Sequence, residues 1–250
     1  KFRAARRMWA QVMKERFGAE NPKSMKLRFH TQTGGVTLTA QQPINNIVRV
    51  ALQGFAAVCG GTQSLHTNGF DEALALPSET AARIALRTQQ ILAHESGAAD
   101  TADPFAGSYF VEALTDEIEE AAQALIDKVD EMGGSVQCIP FIRAEVEESA
   151  WGYEERYKQK QDIVVGVNEF VSDEPDDVDI LKVDPESERQ QVERLTAFKA
   201  DRDQAELDAR LGDLRGVARD TGNLLVPMRA ALKARASIGE VCGVLRDEFG

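Results

Sequence analysis

The stretch GGTQSLHTNGF, residues 60–70, sets Thr62, Ser64, His66 and Asn68 at every second position. Alternation with period two marks a strand and sends these four side chains to one face. SMKLRFHTQ, residues 24–32, alternates in the same way, with Lys26, Arg28, His30 and Gln32 opposite Met25, Leu27 and Phe29. Helical patterns flank both segments. Residues 3–17 read as an amphipathic helix, and Gly34 and Gly35 break the first strand. After Pro43, the positions Ile44, Ile47, Val48, Ala51, Leu52 and Phe55 form one apolar helical face that ends at Gly60 and Gly61. Pro77 and Ser78 introduce a third helix with Ile84, Thr88 and Ile91 along one side. Helix, strand, helix, strand, helix is the rhythm of a parallel α/β sheet or barrel.

A parallel strand covered on both faces normally reads as a run of Val, Ile and Leu. Here each strand gives one face to polar groups. An unsatisfied buried polar group costs about 1–3 kcal/mol. Two readings therefore stand open: the polar faces line a channel that a polar ligand enters, or they face solvent.

From Thr115 onward the strand signal thins. Thr115 with Asp116 and Glu117 has the form of a helix start, with Ile118, Ala122, Leu125, Ile126 and Val129 as its apolar stripe and Gly133–Gly134 as its stop. A helix is predicted over 142–160, then a short strand in DIVVGVN, a charged loop in SDEPDDVD before ILKVD, and helices over 186–250 with a break at RDTGN. The acidic loop fits no calcium-binding spacing and reads as a solvated turn. The expected organisation is an α/β region over 1–112 and a mainly helical region with two short strands over 113–250.

Forty-three per cent hydrophobic residues in a chain of 250 suffice for a sizeable core. The net charge of −12 argues against a nucleic-acid partner, which needs a basic face. Residues 1–28 nevertheless carry +7 and the remainder −19, so either a basic helix steers an anionic small molecule or it is a solvated face. With no membrane-length apolar run and an amino terminus of Lys-Phe-Arg, the chain reads as a soluble, cytoplasmic protein without a membrane partner. Cys59, Cys138 and Cys242 have neither the number nor the spacing of a disulfide framework or a zinc site, and read as buried free thiols. No metal site is expected.

RFHTQTGG, LTAQQPINNIVRVAL, GGTQSLHTNGFDEALALP, ADPFAGSYFVEALT and IVVGVN, in this order, resemble the adenosylcobalamin-dependent acyl-CoA mutases. Within them the resemblance is to the large, substrate-binding chain of methylmalonyl-CoA mutase and its isobutyryl-CoA and 2-hydroxyisobutyryl-CoA relatives, and it extends over essentially the whole chain. It implies an α/β fold made of the last strands and helices of a (β/α)8 TIM-type barrel, followed by a mainly helical C-terminal region. It also implies a channel for the pantetheine arm of an acyl-CoA substrate, lined here by Thr62, Ser64 and His66. Adenosylcobalamin contacts would fall on His30, Gln32, Gly35, Asn68, Glu72 and Ala75. Val36 stands where members often have tryptophan. The family's substrate-binding arginine, catalytic tyrosine and thioester-contacting histidine match no motif here, so no catalytic residue is assigned. None of the three histidines stands in the Asp-x-His-x-x-Gly pattern of the cobalt's lower ligand. A separate cobalamin-binding chain or domain and a dimer or heterodimer are implied. The activity implied is a radical 1,2-rearrangement of an acyl-CoA carbon skeleton; a non-catalytic docking module for the cobalamin-binding chain is the rival.

Overall fold

The computed structural model describes residues 1–172 and 178–250. The acidic stretch 172–179 read as a loop thus lies mostly outside the described residues. The chain divides into two compact units, Lys1–Leu181 and Lys182–Gly250.

In the first unit, helix α1 (Phe2–Glu15) is followed by strand β1 (His30–Gln32), a short 3-10 turn (Gly35–Thr37) and helix α2 (Asn45–Cys59). Strand β2 (Ser64–His66), helix α3 (Glu79–His94), helix α4 (Tyr109–Glu131) and helix α5 (Ile139–Lys158) complete it. The two strands pair in parallel with His30 opposite Ser64, Thr31 opposite Leu65 and Gln32 opposite His66. The strands are shorter than the alternation predicted. Residues 22–25 form turns and 27–29 are irregular, so Lys26 and Arg28 lie outside β1. DIVVGVN is not a strand either; it contributes one bridge, Val165 to Glu169, and ILKVD is irregular.

Helix α2 corrects a second expectation. Of the six predicted apolar positions, Ile44 at the N-cap, Val48 and Leu52 are 56, 60 and 65% exposed and Ile47, Ala51 and Phe55 are only partly buried, whereas Asn46, Val50, Gly54 and Ala57 are buried. The inward face needs small residues because α2 lies close to its neighbours. A Cβ on Gly54 would stand 2.9 Å from Leu92 Cδ1 of α3 and 3.7 Å from Leu65 Cδ2 of β2. Val48 and Leu52 instead line an open groove of about 1270 Å³ with Leu38, Tyr153, Tyr157 and Ile163. Ser78 caps α3 as predicted, its side chain accepting from Ala81 N.

Helix α4 starts earlier than predicted, with Ser108 at its N-cap, so Thr115 is a mid-helix residue. Its hydroxyl donates to Val111 O at 2.6 Å and accepts from Arg3 Nη1 at 2.9 Å. Arg3 also grips Asp103 and Glu112, Arg7 pairs with Asp116 and Glu119, and Arg16 pairs with Asp130. Two basic groups of α1 and the Arg16 that caps its C-terminus are thus answered by carboxylates that are mostly on α4. These bonds hold the Glu112 and Asp130 carboxyls below the ordinary range and the guanidinium of Arg3 above its own. Three of the nine basic residues in the first 28 thus take part in helix packing.

The second unit holds α6 (Pro185–Ala200), α7 (Gln204–Ala218), α8 (Leu225–Lys233) and α9 (Ile238–Phe249). RDTGN separates α7 from α8 as expected. Leu207 and Leu214 of α7 meet Ala231 of α8 and Val241 and Val244 of α9 in a buried cluster. Ser237 begins α9 with a capping box, in which its side chain accepts from Glu240 N while Glu240 accepts from Ser237 N. Arg202 donates to both oxygens of Glu240, at 2.9 and 2.6 Å. Of the three thiols, Cys59 and Cys138 are buried, but Cys242 is exposed. Among the described residues no helix is long and apolar enough to cross a membrane.

Candidate functional site

Parallel pairing puts the ends of both strands side by side, so the loops that follow β1 and β2 emerge together. The in-register pairs place His30 and Gln32 of β1 beside Ser64 and His66 of β2 on one exposed face. Thr31 and Leu65 take the other face and are partly buried. The polar row read from the alternation is therefore real over these four residues. His30 Nδ1 lies 2.7 Å from Ser64 Oγ, and Gln32 Nε2 donates to Asn68 Oδ1 at 3.2 Å. Thr62 is not brought into the row. It precedes β2, and its hydroxyl accepts from Thr31 Oγ1 at 2.9 Å.

Beyond the strand ends, Gln32, Gly35, Asn68 and Glu72 converge. The Asn68 backbone N–H donates to Thr33 Oγ1 at 3.0 Å, which ties the second loop to the first. A Cβ on Gly35 would stand 2.9 Å from Asn68 Nδ2 and 3.5 Å from Glu72 Oε1. Glycine is what lets the three approach one another. Asn68 is 2% exposed, and its Nδ2 has no partner in the protein. An unpaired buried donor beside a glycine-lined cradle is an arrangement that a ligand oxygen would complete. Glu72 is exposed and Ala75 partly so. Asp71 shapes the turn that carries them: Oδ2 accepts from Ser78 N at 2.8 Å, and its carbonyl accepts from Leu74 N and Ala75 N.

The sequence reading missed the buried polar residues behind this surface. Thr67 donates to Ala85 O at 2.7 Å and accepts from Gln89, securing the end of β2 to α3. Asn46, Arg49 and Gln53 form a polar row on α2 that bonds the loop after β1; Gln53 Oε1 accepts from Gly34 N, and Gln53 Nε2 donates to Thr37 Oγ1 at 2.8 Å. Their spacing of three and four along a helix was the available signal, hidden because the apolar stripe on the same helix drew the assignment. Among the described residues no group of three His, Cys, Asp or Glu is placed to hold a metal ion.

The family model described as methylmalonyl-CoA mutase matches residues 1–250. The 2-hydroxyisobutanoyl-CoA mutase large subunit of Aquincola tertiaricarbonis is 45% identical, over 100% of this chain and 45% of its own length. Methylmalonyl-CoA mutase of Rhizobium meliloti (strain 1021) is 43% identical over 100% of this chain and 36% of its own, and the human mitochondrial methylmalonyl-CoA mutase is 44% identical over 100% and 34%. The chain thus spans from a third to just under half the length of these relatives. With the whole of its length matched, and with identity in this range, the chain belongs to the methylmalonyl-CoA mutase family.

Proposed function

We propose that this chain is the part of an adenosylcobalamin-dependent acyl-CoA mutase that completes its substrate barrel and contributes contacts to the cofactor. On this reading β1 and β2 are the last two strands of a (β/α)8 barrel. The polar row of His30, Ser64, Gln32 and His66 faces the acyl-CoA arm, and the loops after the strands face the cofactor. The observation that carries the reading is the cradle of Gly35, Asn68 and Glu72, with its buried and unpaired amide.

The donor set suits the group. Asn68 Nδ2 can donate to a ribose oxygen, and the Glu72 carboxylate can accept from ribose hydroxyls. Gly35 leaves room for a flat ring, and Gln32, held by its bond to Asn68, and His30, held against Ser64, offer polar atoms at its margin. When bound, adenosylcobalamin supplies a cobalt–carbon bond whose homolysis starts a radical 1,2-rearrangement of the substrate. The residues of this chain position the cofactor and substrate and exclude water from the space between them. The remaining barrel strands and a cobalamin-binding domain or chain, joined in a dimer or heterodimer, complete the enzyme. The relatives named above leave two substrate classes open, methylmalonyl-CoA and 2-hydroxyisobutanoyl-CoA.

Titrating adenosylcobalamin and hydroxocobalamin into the full-length protein, wild type and Glu72→Ala, tests the reading. A charge-assisted hydrogen bond contributes about 1.5–3 kcal/mol. At about 1.4 kcal/mol per decade, the substitution should weaken adenosylcobalamin by roughly one to two orders of magnitude. Hydroxocobalamin, which has no ribose at that position, should keep its affinity. Equal weakening of both would refute the ribose assignment, and absence of binding by the wild type would refute the cofactor reading.

A further inference from the structure

The proposed cofactor site draws on two loops that are separated in sequence by the whole of α2, so something must hold one against the other. Asn46, the second residue of α2, is fully buried. Its Nδ2 donates to Thr39 O at 2.9 Å and to Phe70 O at 2.8 Å. Its Oδ1 accepts from Thr39 N at 3.1 Å and from Arg49 Nη1 at 2.8 Å. A primary amide has two N–H donors and two oxygen lone pairs. All four are engaged.

The partners are distributed in a telling way. Thr39 lies in the loop after β1, four residues beyond Gly35, and Phe70 lies in the loop after β2, midway between Asn68 and Glu72. Arg49 decides which way the amide points. As a donor only, it must face the oxygen, which turns the nitrogen toward the two carbonyls. Arg49 Nη1 also donates to Thr39 Oγ1 at 2.9 Å. Aspartate, of nearly the same shape, could fill the space and accept from Arg49, but it could not donate to either carbonyl. A role in packing alone would tolerate that change sterically; a role in joining the loops would not.

We propose that Asn46 is a positioning residue that locks the two loops into one cofactor-binding unit, acting through Phe70 on Asn68 and Glu72. The assignment of what the unit binds rests on the adenosylcobalamin reading above; the locking itself does not.

The test uses full-length protein with Asn46→Asp and Asn46→Ser. In the first arm, without cofactor, amide hydrogen exchange is followed by mass spectrometry. Peptides covering 34–41 and 68–76 should exchange about tenfold faster in both variants, and together, while α4 and α7 keep wild-type protection. Loosening of one loop without the other, or wild-type exchange in Asn46→Asp, would overturn the proposal. In the second arm, adenosylcobalamin affinity is measured in a double-mutant cycle of Asn46→Asp with Glu72→Ala. The combined loss should fall short of the product of the single losses by at least about threefold, since the first substitution already misplaces Glu72. Independent, multiplicative losses would show that Asn46 does not act on Glu72. If the wild type binds no adenosylcobalamin, the cofactor reading fails and the exchange arm alone decides the lock. If neither variant folds, Asn46 is a determinant of the fold as a whole and the proposal is overturned.

Discussion

Gly35→Ala separates a ligand cradle from a structural glycine, because the added methyl meets the site and little else. Gly35 has no positive φ, so alanine brings no backbone strain there. Alanine for glycine at a compatible position stabilises by about 0.4–1 kcal/mol through the unfolded chain. Against this, the methyl would stand 2.9 Å from Asn68 Nδ2, which has to move by a few tenths of an ångström. Turning a side chain about 30° off its rotamer costs about 0.5–1.5 kcal/mol. The Asn68 amide nitrogen gives up no protein hydrogen bond when it moves, and the only side-chain bond at stake is the long one, 3.2 Å, that its Oδ1 accepts from Gln32 Nε2. The two effects nearly cancel, leaving a change within about 1 kcal/mol and a melting temperature within about 4 °C of wild type. Binding is another matter. An extra methyl forced into a filled contact costs about 1–3 kcal/mol, so cobalamin affinity should fall roughly fivefold to a hundredfold. On the proposed assignment adenosylcobalamin and hydroxocobalamin should suffer alike, in contrast to Glu72→Ala, because the methyl would obstruct the ring that both share. Thermal melts of the cofactor-free protein and titrations with both cobalamins make the measurement. A melting temperature lowered by 10 °C or more with unchanged affinity would refute the argument and make Gly35 a folding requirement only.

If the polar row lines the proposed acyl-CoA channel, Ser64→Val in the full-length enzyme should raise the Michaelis constant for acyl-CoA severalfold with little loss of stability, since a strand accepts valine well and His30 can turn to water on its exposed side; a large loss of stability with an unchanged constant would favour a solvent-facing strand. The Glu240 carboxyl is lowered to about 2, chiefly by the bond from Arg202 against the cost of burial, with Ser237 adding to it. A depressed carboxyl stabilises the fold above its unfolded value of about 4.3 and ceases to as pH falls through the folded one. Unfolding of the helical unit followed by circular dichroism should therefore show stability declining between about pH 4.5 and 2, and Glu240→Gln should flatten that decline. Leu214→Ala empties a fully buried position in the cluster of α7, α8 and α9 and should cost about 2–5 kcal/mol in denaturant melts of the second unit. A loss under about 1 kcal/mol would mean that the cluster collapses around the gap.

The alternation of polar and apolar residues was enough to find both strands, because side chains on an extended backbone must alternate whatever surrounds them. It also put His30, Gln32, Ser64 and His66 on one face. Glycine pairs and Ser78 marked helix ends because their reasons are local, a missing side chain or a side-chain oxygen within reach of a backbone N–H. The long motifs carried the family. The sequence did not show where the strands stop, because the length of a ladder depends on having a partner at each position; SMKLRFHTQ alternates throughout, but only His30–Gln32 pairs. Nor did it show which side of α2 faces inward. The richer apolar stripe lost to Asn46, Val50, Gly54 and Ala57, because close approach to Leu65 and Leu92 selects small residues and a satisfied amide. Thr115 had every local mark of a helix cap and became a mid-helix hydroxyl for Arg3, a partner 112 residues away. Such pairings have no trace in local pattern. Gly35, Asn68 and Glu72 could be named from the sequence, but their meeting around one unpaired amide, and the four bonds by which Asn46 holds their loops together, exist only once parallel pairing has brought the two strand ends side by side.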